Sequence, residues 1–325
     1  MFKKLQPHDY AGLRSYFDGQ LYPLCPYSLA SMIIWSGCVH EAFYREESGI
    51  LYLSEENIKS PSPSGPGAEK GEVPAELVPG KTGQPGRRLL LPLLRPFRFP
   101  TPKELAEAAR RFDFPGYHYV PQDYVEMTGA GNLDAYFSVQ EEPGYGDYIY
   151  NTSDLAFLKG RKYSKKRNLI SQFLKDVGGA VQVKPMEGVC LHGCLELFDH
   201  WERAQKGPVV ADIPNCERKA IVGGLTNFKQ LEMSGVAVEI GGRLSGFAFG
   251  SRLRNDMFAL NFEKADAGIK GLYQFLDSSA ARAVAPQYAF INKENDLGLP
   301  GLRKAKESYF PIRTVKSYIL TLRNL

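Results

Sequence analysis

The chain has 325 residues, of which 43% are hydrophobic and 23% charged, with a formal net charge of +4. These values belong to a soluble globular chain long enough for two domains, and so small a total charge excludes any partner argued from charge alone. The longest apolar runs, Leu29 to Trp35 and Leu89 to Leu94, exclude a transmembrane helix, which needs roughly 20 apolar residues.

The opening segment MFKKLQPHDYAGLRSYF has neither a long apolar core nor a small-residue cleavage site, so it does not read as a secretory leader. Five scattered cysteines, Cys25, Cys38, Cys190, Cys194 and Cys216, read as free thiols in a reducing, cytoplasmic setting. Leu13 and Phe17, then Leu29, Met32 and Ile33, recur at helical spacing and predict short helices over 8–18 and 26–35. Strands are expected at Val39 to Tyr44, Ile50 to Leu53 and Leu89 to Leu94. Between the last two, residues 59–88 are dense in Pro, Gly and Ser and read as a flexible insertion. Thr101-Pro102-Lys103-Glu104 predicts a helix start with a capping box. A strand at Tyr117 to Val120, a short helix at 122–127 and a strand at Asp147 to Tyr150 complete this half.

Residues 159–168 are the most basic segment, with six Lys or Arg in ten. They open an amphipathic helix over 159–177, whose apolar side is Leu169, Ile170, Phe173, Leu174 and Val177. Arg161, Lys162, Lys165, Lys166 and Arg167 read either as a solvated face or as contacts to a phosphate-bearing partner. That partner would be a tRNA, a nucleotide or a lipid headgroup, the last implying peripheral contact with membrane lipid.

Beyond Ala180 the pattern predicts a strand at 181–186, helices at 190–205 and 215–231, and a hairpin of 236–240 with 244–250. Gly241-Gly242 supplies the two positive φ angles of its tight turn. A strand at 256–262, a helix at 267–284, a strand at 288–291, a helix at 300–308 and a final strand at 312–320 follow. Polar groups crowd two strand ends within Asn261 to Tyr309: Glu263, Lys264 and Asp266 after one, Asn292, Glu294 and Asp296 after the other. Such ends are where α/β sheets place ligand sites.

The second half reads β-α-α-β-β-β-α-β-α-β, and the first repeats that order without its first strand. This is the layout of the GNAT acyltransferase fold. The segments GRKYSKKRN, NFEKADAGIKGLY and INKENDLGLPGLRKAKESYFP resemble those of proteins related to the phosphatidylglycerol lysyltransferase C-terminal domain. The resemblance covers nearly the whole chain and is strongest from Tyr150 onward; the multi-span flippase segment of full lysyltransferases has no counterpart here. It implies an α/β (α+β) fold of tandem GNAT-like domains, with mixed central sheets flanked by helices, akin to Fem-type peptidyltransferases. The expected division is 1–178 and 179–325.

It also implies acyl or aminoacyl transfer to an amine or hydroxyl, with aminoacyl-tRNA or acyl-coenzyme A as the possible donor. A GNAT protein holds the donor pyrophosphate at the start of the helix near Ala267, where this chain carries Gly268 and Gly271. Their spacing departs from the usual loop, and Asp266 adds a negative charge, which ranks aminoacyl-tRNA above coenzyme A. Glu263, Asp266 and Glu294 are the candidate bases, and Tyr309 the candidate general acid. Lys264 and Arg303 are candidate oxyanion donors; Asn292 and Lys304 join the basic helix as donor-side contacts. Asn292, Glu294 and Asp296 lack calcium-loop spacing, and Cys190, His192 and Cys194 lack a fourth zinc ligand, so no metal is expected. The competing reading is a non-catalytic GNAT-fold module that binds an anionic ligand.

Overall fold

The computed structural model describes residues 1–38, 40–57, 87–204 and 213–323. Most of the expected insertion at 59–88 therefore lies outside the described residues. Two mixed sheets carry the fold. The first runs in the order Lys3–Lys4, His40–Glu47, Ile50–Asn57, Arg88–Leu89, Gly116–Pro121, Ser317–Leu322 and Phe137–Glu141, with Leu93–Leu94 pairing beside Ile50–Asn57. The second runs Val181–Pro185, Ser234–Ile240, Arg243–Arg254, Met257–Ala265, Phe290–Asn292, Asp147–Asn151 and Arg313–Val315. Position by position the two orders match. In each sheet a parallel pair sits at the same place: Leu89 beside Tyr117 in the first, Met257 to Ala259 beside Phe290 to Asn292 in the second.

The match shows that each half lends a strand to the other. Asp147–Asn151 leaves the first half and inserts between Phe290–Asn292 and Arg313–Val315 of the second sheet. Ser317–Leu322, at the far end of the second half, inserts between Gly116–Pro121 and Phe137–Glu141 of the first. The expected single strand at 312–320 is therefore two, changing sheets at Lys316. The division into sheets likewise does not fall at residue 178, because Asp147–Asn151 and the basic helix behind it pack with the second sheet.

Local signals explain the elements. Thr101 Oγ1 accepts from Glu104 N, and the Glu104 carboxylate returns a bond to Thr101 N, which completes the capping box of Pro102–Phe112. Gly241 and Gly242 take φ of 59° and 81° in the hairpin turn. Gly250 is required by close approach: a Cβ there would lie 1.9 Å from the Ala259 carbonyl oxygen. Two apolar clusters result. The larger joins the helix Leu29–Trp35 to residues of both sheets; the smaller lies beneath Leu272–Val284.

One cysteine expectation is corrected. The helices Leu29–Trp35 and Ile213–Thr226 pack together, bringing Cys38 and Cys216 to a Cα separation of 5.4 Å, and the two form a disulfide. Cys25, Cys190 and Cys194 are free thiols.

Candidate active site

In the second sheet the parallel pair separates. Phe290–Asn292 ends while Met257–Ala265 runs on beside Arg243–Arg254, which opens a splay between neighbouring central strands. A β-bulge decides which side chains face it. Phe249 stands opposite Phe262 and Ser251 opposite Ala259, so the strand Met257–Ala265 carries one extra residue between them. Asn261 and Glu263 are two residues apart yet point to opposite faces. Asn261 turns toward Ser31 and Cys25, and Glu263 toward the helix Leu272–Val284.

On the Glu263 face a charged cluster forms. Lys293 Nζ lies 2.9 Å from Glu263 Oε2 and 3.0 Å from Asp277 Oδ2; the second contact is an ion pair without hydrogen-bond geometry. Burial raises the Glu263 carboxyl, as does the Asp277 charge beside it, while Lys293 opposes both. Lys293 itself is raised, since the Asp277 and Glu263 charges together overcome its burial. Above it lies the Tyr309 ring, its centroid 4.9 Å from Lys293 Nζ and 3.3 Å from Lys166 Nζ. Lys166 also donates to Ser308 Oγ at 2.9 Å, and burial pushes it down to about 8. The Tyr309 hydroxyl is raised well above its usual value by burial and then by Asp277 and Glu263, so it stays protonated. Side chains of Glu263 and Lys293 retain 17% and 12% exposure, which leaves the cluster reachable from solvent.

The opposite face holds a second, uncharged-leaning network. Asn261 Nδ2 donates to Glu294 Oε1 at 2.9 Å and to Ser31 Oγ at 2.7 Å; the Cys25 thiol donates to Glu294 at 3.3 Å. Asn292 donates to Asp147 Oδ2 and to the Pro23 carbonyl, both at 2.8 Å. Burial raises Glu294 to about 7 and Asp147 to about 6. Lys306 joins the two faces by donating to the backbone carbonyls of Lys293 and Glu294, and burial pushes it down to about 8.

The structure thus brings Glu263, Tyr309 and Lys166 together and places Glu294 on the far face. The other expected residues are engaged elsewhere. Lys264 is buried 3.5 Å over the Trp201 ring and pairs with Glu217 at 2.8 Å, so it is no oxyanion donor at the splay and does not pair with Glu263. Arg303 bridges to Asp296 at 2.7 Å, and Lys304 is exposed. Asn292 and Asp296 brace their loop by accepting from Glu294 N and Gly298 N. Arg161, Lys162 and Lys165 are exposed, and Arg167 donates to the Leu158 and Gly160 carbonyls, closing the turn after Thr152–Phe157.

The helix expected from residue 267 begins at Leu272, and the turn before it is occupied by protein. Asp266 Oδ1 accepts the Gly268 amide at 2.9 Å, with His200 Nε2 3.5 Å from the same oxygen. Gly271 sits against the basic helix, where a Cβ would lie 2.3 Å from the Leu169 carbonyl oxygen. Gly271 is thus needed for helix packing and for its φ of 84°, and Asp266 is a turn former. Lys293, Asp277 and Lys306 were missed in the sequence. Asp277 had a signal: Tyr273, Asp277 and Ala281 recur every four residues, which puts a carboxylate on the buried stripe.

Two matching mixed sheets and a polar splay between parallel strands define a tandem GNAT-like protein, an acyltransferase-like fold. The chain belongs to the family described as phosphatidylglycerol lysyltransferase, C-terminal, whose model matches residues 104–321. A conserved protein of unknown function from Bacteroides thetaiotaomicron is 24% identical, with 99% of each chain covered and a TM-score of 0.80. The L-PGS of Bacillus licheniformis is 12% identical over 99% of this chain and 94% of its own, with a TM-score of 0.58. An uncharacterised protein of Mycoplasmoides gallisepticum is 24% identical over 174 residues, a match spanning 54% of this chain and about half, 55%, of that protein. Among the described residues no helix is long and apolar enough to cross a membrane.

Lys293 holds two carboxylates in one buried place, and its removal has a definite sign. Lys293→Met is expected to cost about 3–5 kcal/mol at neutral pH, because Glu263 and Asp277 lose their cation. Glu263, already raised by burial and the Asp277 charge, then loses the cation that opposes them. The deficit is therefore largest at high pH and shrinks as pH falls toward the unfolded carboxylate value. Thermal melts of wild type and variant between acid and neutral pH measure it; a deficit that grows on acidification contradicts the pairing.

Proposed function

We propose that the chain is an aminoacyltransferase that moves an activated aminoacyl group from aminoacyl-tRNA to an amine or hydroxyl acceptor at the Glu263–Lys293–Tyr309 splay. The observation that carries this reading is the filled turn before Leu272. Asp266 takes the Gly268 amide and the Leu169 backbone packs close against Gly271, so protein already crowds the turn with which a GNAT protein would hold a coenzyme A pyrophosphate. The covering helix is the basic one, and Arg161, Lys162 and Lys165 remain exposed on it for a larger polyanion. Family membership supports transfer of an activated group, and a tRNA donor puts the work in the cytoplasm.

The donor ester is already activated, so the protein's tasks are positioning and proton movement. The acceptor nitrogen or oxygen attacks the ester carbonyl carbon. Glu263, raised by burial and the Asp277 charge, takes the acceptor's proton. Lys166 and Lys293 offer positive charge to the developing oxyanion. When the ester C–O bond breaks, the departing ribose oxygen takes a proton from Tyr309, and Glu263 can return its proton to the tyrosine.

The test is release of label from a mixed pool of labelled aminoacyl-tRNA, with lysine, ethanolamine or phosphatidylglycerol vesicles offered as acceptors and acetyl-coenzyme A as the competing donor. Discharge of charged tRNA well above spontaneous hydrolysis, with acetyl-coenzyme A untouched, is expected. Consumption of acetyl-coenzyme A alone assigns the other donor. Binding of tRNA with no discharge for any acceptor supports the non-catalytic module.

A further inference from the structure

The first sheet has its own parallel pair, Leu89 beside Tyr117, at the position matching the splay of the second. It too carries a bulge. Tyr318 stands opposite Val120 and Leu320 opposite Tyr117, so His118 and Tyr119 share the place of one residue. Tyr119 takes a φ of +51°, a costly conformation for an aromatic residue inside a strand. The distortion stacks the Tyr119 ring 4.3 Å from the His118 ring and turns the Tyr119 amide to the Glu142 carboxylate at 3.3 Å.

Strand alternation brings His40, Glu55, Arg88 and His118 to one face. Arg88 pairs in register with Glu55, and His118 is one residue past the partner of Leu89. The acids there are committed. Glu55, with its side chain 8% exposed, has His40 Nε2 at 3.3 Å, and Glu142 Oε2 accepts from Ser317 Oγ at 2.8 Å. The donors are not. Arg88 Nη1 and His118 Nε2 are buried without a hydrogen-bond partner, and Glu55 Oε2, 3.6 Å from His118 Nε2, is too far to serve. Among the described residues Arg88 forms no ion pair, whereas its neighbour Arg87 on the outer face pairs with Glu56 at 2.7 Å. A guanidinium cannot shed its proton, so a half-buried one whose buried Nη1 has no acceptor is suited to take an anion. His40, Glu55 and His118 do not have metal-ligand geometry, which leaves an anion as the class that fits.

We propose that the first half carries a second binding site, in which Arg88 and His118 hold a carboxylate or phosphate group of a small ligand beside the bulge at Tyr119. The site stands on the opposite half from Glu263 and does not depend on the transfer reaction proposed above. Arg88, Glu55 and His40 lie outside the residues the family model matches. The His118 side chain keeps 13% exposure. Glu55 is engaged by His40 at 3.3 Å, and Glu142 by the Ser317 hydroxyl and the Tyr119 amide.

The test titrates the full chain with sodium phosphate and, separately, sodium acetate at constant ionic strength and neutral pH, following backbone amide resonances. Saturable shifts at Arg88 and at Tyr117 to Tyr119 are expected in the millimolar range. Arg88→Gln should weaken them at least about tenfold, a loss of about 1.4 kcal/mol. Arg88→Lys should keep part of the affinity, and His118→Gln serves if the Arg88 variant does not fold. Saturation by phosphate alone identifies a phosphate-bearing ligand, and saturation by acetate a carboxylate. No saturable shift with either anion, or equal affinity in the folded Arg88→Gln and His118→Gln variants, overturns the site.

Discussion

Glu263→Gln is expected to lower the rate of aminoacyl transfer by about 10²- to 10⁴-fold, the usual contribution of a positioned general base, with little change in the binding of charged tRNA. The substitution preserves shape. It removes one carboxylate from Lys293 and leaves Asp277, 3.0 Å away, as the remaining counter-charge, so the cluster keeps one acid and one cation. The same change relieves the crowding of two buried carboxylates, and the fold should survive it. Single-turnover rates beside thermal melts separate chemistry from stability. A rate within a factor of about three of wild type removes Glu263 from the proton path. The base would then be sought at Glu294, which burial raises to about 7 on the other face of the same splay.

How much of this was legible in the sequence depends on the distance over which each signal acts. Caps, turns and periodicity act over a few residues, and they placed the capped helix at Pro102 and the hairpin at Gly241-Gly242. The repeated element order and the family motifs gave the tandem GNAT-like fold. The bulge in Met257–Ala265 was not legible, because strict alternation would put Asn261 and Glu263 on one face. Nor was the pairing of Lys293 with Asp277, because it depends on how a helix crosses a strand end. Exchange between the sheets was hidden for the same reason: Arg313–Val315 and Ser317–Leu322 look like one strand, and only their distant partners separate them. The glycine pair was half legible: the spacing of Gly268 and Gly271 already departs from a phosphate loop, but only the fold shows that one closes a turn on Asp266 and the other lets two helices touch.

The exchanged strand carries the largest structural prediction. A chain ending at Lys316 keeps Arg313–Val315, and with it every strand of the second sheet, but loses Ser317–Leu322 from the interior of the first. Gly116–Pro121 and Phe137–Glu141 then lose the partner between them, and the burial of Ile319 and Leu320 goes with it. At about 1.5–3 kcal/mol for each buried aliphatic side chain, plus about 1 kcal/mol for each ladder hydrogen bond, the loss matches the whole 5–15 kcal/mol margin of an ordinary domain. The first half should therefore unfold although the deletion lies in the second half of the sequence. Hydrogen exchange should show Gly116–Pro121 and Phe137–Glu141 unprotected, while Met257–Ala265 stays slow. The converse follows for chains cut at residue 178. Residues 1–178 lack the inserted Ser317–Leu322, residues 179–325 lack Asp147–Asn151, and each should fold only when the other is present. Independent folding of either piece would mean that the exchanged strands are dispensable, and that the two halves are joined by contact alone rather than by shared sheets.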